Sequence, residues 1–376
     1  MKICKSILAS AIGLAVTGSA IAENNAGPTN QNNPDIMNIQ NSCIVRLHDT
    51  TEPSDVKGLS RAMAARGQAK LKHVYKHSIK GFAINMPCTA ATAAFGDDAN
   101  IMSLTPDSIV SISKGKPGSG GGELQQASYG TERVGGAVDG TGYTAWVIDT
   151  GIDLDHPDLN VDSIRGFTSI SRGGMDDQNG HGSHVAGTIG ALDNDIGALG
   201  VAPNTTVIPV RVLDRRGSGS TSGVIAGIEH VAANAGSGDC ANMSLGGGVS
   251  QVLDDAVVAA AQYSGAFFVL AAGNDGDDAN NHSPARANGE NVWTISATDS
   301  SDRMASWSNY GSAVDYAAPG VGIFSLWKSG GTNTISGTSM ASPHACAVIM
   351  MSNGNPISDG NASGDPDGNA DPIIHL

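Results

Sequence analysis

Charge of either sign is scarce in this chain. Asp, Glu, Lys and Arg make up 15% of its 376 residues, against roughly 25% in an ordinary soluble protein. Basic residues are the scarcer kind, 21 against 36 acidic ones, for a net charge of −15. So acidic a surface repels phosphate backbones, and nucleic acid is not an expected partner. Beyond the first 22 residues no stretch stays apolar for the ~20 residues that a spanning helix needs, so no membrane partner is expected either. None of the five cysteines stands in C-x-x-C, which removes zinc-ribbon and thioredoxin-type readings. There is no H-E-x-x-H helix for a zinc protease, no internal repeat, and no sign of an organic cofactor. Glycine is what abounds, 50 residues, nearly twice the usual ~7%. It lacks a G-X-Y period, so the chain is not collagen-like but rich in tight turns and close backbone approaches.

The charge is unevenly placed. Residues 1–128 hold 12 Lys+Arg and 9 Asp+Glu, for +3; residues 129–376 hold 9 and 27, for −18. Front and back parts of opposite sign attract each other. The first 22 residues have the form of a secretory signal peptide. Lys2 and Lys5 are followed by an apolar run from Ile7 to Val16 and by Ala20-Ile21-Ala22. Export is expected, to the periplasm or the medium, and export permits disulfides. Residues 23–43 are polar and Asn/Pro-rich, as in a linker.

Residues 44–113 read as a small domain. Strands at 44–48, 71–75, 81–86 and 108–112, with helices at 53–66 and 89–95, give β-α-β-β-α-β, the ferredoxin-like plan. Its first and third strands are antiparallel neighbours. Cys43 precedes one and Cys88 follows the other, so a Cys43–Cys88 disulfide is expected. Residues 114–128, with Gly118 to Gly122 nearly all glycine, read as an exposed, cleavable linker. From Tyr129 the pattern changes. Short apolar strands (145–148, 207–212, 267–271, 292–297) alternate with helical stretches (184–192, 222–235, 252–264). The expected fold is α/β, a parallel sheet flanked by helices, over residues 129–352. An Asp/Gly-rich tail closes the chain at 353–376.

Three motifs carry chemistry. Asp149 ends an apolar strand in Val147-Ile148-Asp149-Thr150-Gly151, where active sites gather in open α/β sheets. His181 lies in Asn179-Gly180-His181-Gly182-Ser183-His184, at the mouth of a helix. Ser339 lies in Ser336-Gly337-Thr338-Ser339-Met340-Ala341, again where a glycine-bearing turn feeds a helix. A nucleophilic Ser needs an imidazole base, and the base needs a carboxylate to fix its tautomer. The chain order Asp…His…Ser separates this set from esterases, whose nucleophile sits in G-x-S-x-G and comes first.

With Met243-Ser244-Leu245-Gly246, Ala271-Ala272-Gly273-Asn274, Ser283-Pro284-Ala285 and Ser308-Asn309-Tyr310-Gly311, the chain resembles the subtilisin-like serine proteases, nearest their proteinase K-like branch. The resemblance covers about residues 129–352, and residues 44–112 resemble the inhibitory propeptide of the same family. It implies Ser339 as nucleophile, His181 as general base and then acid, Asp149 as its orienting partner, and Asn274 as oxyanion donor. Ser244, Leu245 and Gly246 would form one wall of the substrate cleft, and Ala271, Ala272 and Gly273 the other. Neither wall is charged, so apolar or aromatic P1 residues are expected. The partners implied are protein and peptide substrates and the chain's own propeptide, in a monomer. Cleavage within 113–126, with Leu124 an attractive P1 residue, would free the enzyme.

Calcium is the expected cofactor. Asp365, Asp367, Asn369 and Asp371 alternate in the tail, and oxygen ligands so spaced can wrap the ion. The resemblance suggests a second site at Asp315, with backbone carbonyls near Glu290 and Val292; Asp176 and Asp177 are a weaker third possibility. It also puts Cys346 in the helix behind Ser339, where a free buried thiol is expected rather than a bond to Cys240. His184 is expected to be structural, as is His344. The short C-terminus puts the stability of the core in question.

Overall fold

The computed structural model describes residues 34–112 and 124–376. The signal-peptide reading and residues 113–123 lie outside the described residues. The helix Pro34–Gln40 occupies part of the stretch read as linker.

The front lobe has the expected order up to its last strand. The helices Pro53–Arg66 and Cys88–Phe95 accompany a sheet of Lys70–Tyr75, Gly81–Asn85, Cys43–Leu47 and Ile101–Pro106, in that spatial order. All of its pairings are antiparallel. Val45, Leu47, Val56, Met63, Phe82, Ile84 and Phe95 fill its core, and Cys43 is bonded to Cys88. The reading of 108–112 as the fourth strand is corrected. Ile101–Pro106 takes that place beside Cys43–Leu47. Ile109–Ser111 leaves the lobe and pairs antiparallel with Ser218–Ser220 of the back part.

The back part is built on one twisted sheet. Its spatial order is 357–361, 372–375, 316–319, 292–298, 267–271, 240–243, 144–149, 206–211, 160–161, and the short strand Phe167–Thr168 also pairs with Thr206–Arg211. The pairings are parallel except the one between Ile357–Asn361 and Pro372–His375. Parallel strands covered on both faces need near-continuous apolar sequence. Ala145–Ile148 and Phe267–Ala271 supply it and are buried throughout. The helices His181–Gly190 and Thr338–Met351 contribute to the core on one face. Thr221–Asn234 and Gln251–Ser264 contribute to the core on the other. The central strand Cys240–Met243 was not read from the sequence, because Cys-Ala-Asn-Met lacks β-branched residues.

Two expectations about the C-terminal part are overturned. Cys346 is not free: it is bonded to Cys240, with Cα atoms 5.9 Å apart, inside the bridging range. A separation of 106 residues hides the pair from any local reading. The tail, in turn, adds two strands to the sheet. Ile373 and Ile374 are fully buried, and Ala317 pairs with Ile373. The tail is therefore built into the sheet edge and part of the core.

Candidate active site

Asp149 is the last residue of its strand and is fully buried. Its carboxylate accepts the Thr150 N–H at 2.7 Å. The His181 ring lies against it, with Nδ1 at 2.9 and 3.0 Å from the two oxygens. Nδ1 therefore carries the proton that Asp149 accepts, and Nε2 is left with its lone pair. Nε2 is buried without a partner. Burial pushes the His181 pKa down, but the charge and hydrogen bond of Asp149, with the charge of Asp177, outweigh it and hold the pKa above 6.5.

The turn that presents His181 depends on a residue the sequence reading offered only as a weak metal ligand. Asp177 accepts five hydrogen bonds: from Thr150 Oγ1, Asn179 N–H and Gly180 N–H at Oδ1, and from Ser183 N–H and Oγ at Oδ2. Its oxygens are occupied by the loop itself, so it organises the His181 turn. Gly180 has φ +111°, and a Cβ there would come within 2.2 Å of the Trp327 ring; only glycine fits.

Ser339 is the second residue of the helix Thr338–Met351 and is buried. Its Oγ donates to Ser244 O at 3.3 Å, and Ser244 Oγ donates to Ser339 O at 2.8 Å. Asn242 Nδ2 donates to Ser244 Oγ and Ser342 Oγ donates to Asn242 Oδ1, tying the missed central strand to the same helix.

Asn274 is held by one end only. Its Oδ1 accepts Thr338 N–H at 2.9 Å and Thr338 Oγ1 at 2.8 Å, and its Nδ2 is buried without a partner. A Cβ placed on Gly337 would stand 3.2 Å from Asn274 Nδ2 and 3.6 Å from Ser339 N. One small space thus faces two N–H groups, the arrangement that stabilises an oxyanion. Asn309 supports this turn, accepting Asp275 N–H and Asp277 N–H and donating to Ala272 O.

Ser244 and Leu245 are buried and Gly246 is half-buried; Ala271 and Ala272 are buried, with Gly273 at φ +108° leading to Asn274. The sequence reading missed a further strip of backbone. Ser111 and Gly246 exchange both N–H···O bonds at 3.0 Å, and Ile112 N–H donates to Gly217 O at 2.9 Å. The segment 109–112 is thus an added strand between 217–220 and 246, in the manner of an extended peptide on a sheet edge. Arg215-Arg216-Gly217-Ser218-Gly219-Ser220 has the look of a loop, and only its glycines hinted at close backbone approach.

Side chains also join the two lobes. Asp107 caps the helix Thr221–Asn234, accepting Ser222 N–H at 2.9 Å and Ser222 Oγ at 2.5 Å. Glu229 on the same helix accepts the backbone N–H groups of Lys76, His77 and Ser78, and Ser78 Oγ. Arg46 pairs with Asp255. The Arg46–Asp255 pair agrees in sign with the basic front and acidic back.

His184 and His344 are buried and bonded to backbone carbonyls. His184 Nε2 meets Ile323 O at 3.0 Å, and burial lowers its pKa to about 3. His344 Nδ1 meets Met340 O, and burial lowers its pKa to about 4.

The tail carboxylates feel one another's charge: burial first, and then the charges of Asp365, Asp367 and Asp315, raise the Asp371 pKa to about 7. Asp365 and Asp367 accept backbone N–H groups two residues on, and Asp371 accepts Ser296 Oγ at 2.6 Å. Asn369 is exposed. Among the described residues no three His, Cys, Asp or Glu side chains are grouped to hold a metal ion. Asp315 Oδ2 accepts Thr294 N–H at 2.8 Å, and burial raises its pKa.

A sequence model described as Subtilase family matches residues 140–356. The chain is 44% identical over 296 residues to alkaline serine exoprotease A of Vibrio alginolyticus, across 75% of this chain and 53% of that one. It therefore spans about half the length of the Vibrio protein. It is 40% identical over 329 residues to the subtilisin-like serine protease AsES of Sarocladium strictum, across 82% and 79% of the two chains. It is 42% identical over 291 residues to an extracellular serine proteinase of Thermus sp. (strain Rt41A), across 75% and 68%. A solved structure titled a cold adapted subtilisin-like serine proteinase superposes with TM-score 0.60 at 40% identity, over 66% of this chain and 98% of that one.

Proposed function

The chain belongs to the subtilase family, and on that premise we propose that it is a secreted serine endopeptidase that cuts proteins after apolar or aromatic residues and is made as an autoprocessed zymogen. One observation carries the reading. Two buried polar atoms, His181 Nε2 and Asn274 Nδ2, have no partner; Asn274 Nδ2 and Ser339 N border one space at Gly337, and the Ser339 hydroxyl turns to Ser244 O and not to His181. Orphaned buried donors and acceptors are costly, and a reacting peptide bond would satisfy both. Ser339 Oγ attacks the scissile carbonyl and His181 Nε2 takes its proton. Asn274 Nδ2 and Ser339 N–H bind the oxyanion, and His181 returns the proton to the leaving amine. Water then hydrolyses the acyl-enzyme by the same route.

An endopeptidase is favoured by the segment 109–112, which lies along Gly246 and 217–220 as an interior piece of chain, not as an end. Uncharged Ala271, Ala272 and Leu245 support the apolar P1 preference. Secretion rests on the signal-like first 22 residues and on the Thermus relative, which is named as extracellular. The test of the chemistry is casein digestion. Asn274→Ala should lower kcat by roughly 10²–10³ with KM little changed. A drop confined to KM would remove Asn274 from the oxyanion site.

The front lobe, residues 44–113, is proposed as inhibitor and folding aid. Its strand lies where a substrate would bind, and Glu229 alone receives four of its donors. Truncating one side of such a charged, partly buried set costs about 2–5 kcal/mol. Glu229→Ala enzyme should therefore resist inhibition by added front lobe about 30-fold or more, with casein kcat unchanged. Equal inhibition constants would sink the propeptide reading.

Calcium is proposed as structural, since oxygen donors of the Asp315 kind suit it. Asp315 and nearby backbone carbonyls would hold it. Chelation should lower the melting temperature of the wild type but not of Asp315→Asn; an equal drop in both would remove Asp315 from the account.

A further inference from the structure

We propose that Arg211, whose side chain bonds to none of the reacting groups, is a positioning residue for the His181 base, a statement that rests on the protease reading above. Arg211 ends the strand Thr206–Arg211 and stands opposite Asp149 in the parallel register. Asp149 O accepts the next two N–H groups along that chain, Val212 at 2.9 Å and Leu213 at 3.1 Å. The two strand ends are thus fixed to each other at the point where Asp149 meets His181. Arg211 is only 1% exposed. A guanidinium stays charged in a protein, and a buried charge is costly unless it is well bonded. Burial works against this one, and the charges of Asp177, Asp176 and Asp214 support it.

Most of its hydrogen bonds go to one loop. Nη1 alone donates to Gly173 O, Gly174 O and Asp176 O, at 3.0, 3.1 and 3.0 Å. Nη2 donates to Gln178 Oε1 at 3.3 Å, and Nε to Leu213 O at 3.4 Å. Between Thr168 and His181 the chain forms no helix or strand, so its carbonyls must find donors elsewhere. Arg211 is the donor for three of them. A Cβ on Gly173 would stand 2.8 Å from Arg211 Nη1 and 2.5 Å from Gln178 Nε2, and its φ is +89°, so this close approach requires glycine.

The far end of the same loop carries Asp177. Ile152, just after the Asp149 turn, donates its N–H to Met175 O at 3.3 Å and accepts Asp177 N–H at 3.1 Å. The Asp177 carboxylate then binds Thr150 Oγ1, beside Asp149, and the Asn179, Gly180 and Ser183 donors around His181. Thr150 Oγ1 in turn accepts Gly182 N–H at 2.9 Å, and Ser183 Oγ accepts Asp153 N–H at 3.0 Å. The turns that present Asp149 and His181 are therefore cross-linked through a loop whose approach is held by Arg211. Without the guanidinium, three carbonyls directly before Asp177 lose a donor at once. The loop then shifts, and the imidazole shifts with it. A displacement of about 1 Å caused far from the chemistry can cost about 10²-fold in rate.

The experiment compares three variants. Arg211→Met keeps the apolar stem and removes the donors. Arg211→Lys puts three donors on one nitrogen, enough for the three carbonyls that Nη1 serves. Asp177→Asn leaves Arg211 in place and breaks the link from the loop to His181. Each full-length chain is matured by added wild-type enzyme that is then separated, with Ser339→Ala treated alike as the blank. Per folded enzyme, Arg211→Met should lose about 10²-fold in kcat on casein with KM little changed, and Arg211→Lys should recover most of that loss. Asp177→Asn should lose kcat as well, and the double variant with Arg211→Met little more, because both lie on one path. A second readout needs no activity. In full-length Ser339→Ala, NMR follows the proton on His181 Nδ1 that Asp149 accepts. Its resonance should weaken or vanish with Arg211→Met and with Asp177→Asn, and return with Arg211→Lys. A lower melting temperature in Arg211→Met with kcat and resonance unchanged would overturn the inference, as would a loss confined to KM or losses that multiply in the double variant. If Arg211→Met does not fold, Asp177→Asn decides: with wild-type kcat and resonance, nothing that Arg211 holds governs His181, and the inference falls while the protease reading stands. If the wild type itself leaves casein intact, both fall.

Discussion

Replacing Ser339 by Ala should lower kcat for casein or peptide hydrolysis by about 10⁶-fold, the scale of loss when a subtilisin loses its nucleophile, and leave folding intact. The reason lies in how little else the hydroxyl does. Ser339 Oγ makes one long hydrogen bond, to Ser244 O at 3.3 Å, while the helix and its ties through Ser244 Oγ and Ser342 Oγ do not involve it. Near-equal thermal stability with activity lost is therefore the expected pair of results. His181→Ala should cost about as much, and the double variant little more, because neither residue acts without the other. A double variant with losses that multiply would mean that Ser339 and His181 act independently, against the mechanism proposed. Measurement of kcat by single-turnover and steady-state assays, on variants whose front lobe has been removed in trans by added wild-type enzyme that is then separated, decides it.

Asp149→Asn should lower kcat by about 10⁴-fold, by leaving the imidazole in the wrong tautomer. An amide that donates to Nδ1 forces the proton onto Nε2, the nitrogen that must accept from Ser339. The pH profile should move as well. Catalysis needs His181 neutral, so activity is present above its pKa and is lost as pH falls through it. In the wild type that pKa lies above 6.5, because Asp149 and Asp177 outweigh burial. Removing the Asp149 charge leaves burial the stronger influence, so the acid limb of kcat/KM should shift to lower pH in the variant. An unchanged acid limb would mean that another group governs it. A shift to higher pH would contradict the electrostatics described here.

How far the site was legible depended on how far apart its parts lie. Asp149, His181, Ser339 and Asn274 each stand in a short motif of their own and were named from the sequence. Their supports were not. Asp177 was offered as a weak metal ligand, yet its two oxygens hold five donors, four from the His181 loop and one from Thr150 beside Asp149. A carboxylate wrapped by its own turn and one wrapped around an ion look alike in one dimension. Cys346 was read as a free buried thiol, yet the central strand and the Ser339 helix bring it to Cys240, to which it is bonded.

The strand Ile109–Ser111 shows the limit most clearly. Its apolar alternation marked it as a strand, and local pattern could go no further. Placing it in the front sheet satisfied the ferredoxin-like count, but Ile101–Pro106 holds that edge. The tail presented the opposite case, where a Gly- and Asp-rich composition concealed the strand Pro372–His375 and two isoleucines of the core.

The sequence by itself determined the type of the longer helices and of the strands with apolar runs, the chemistry expected of the candidate reacting groups, and the family. Those depend on periodicity and on short motifs, which are local. Tertiary structure alone decided which strand edge received residues 109–112, which thiols met, and which carboxylates became turn organisers. Each of those is a choice among partners distant in the chain. It is settled by which buried N–H, C=O and side-chain groups find a mate once the sheet has closed, and no local pattern records that.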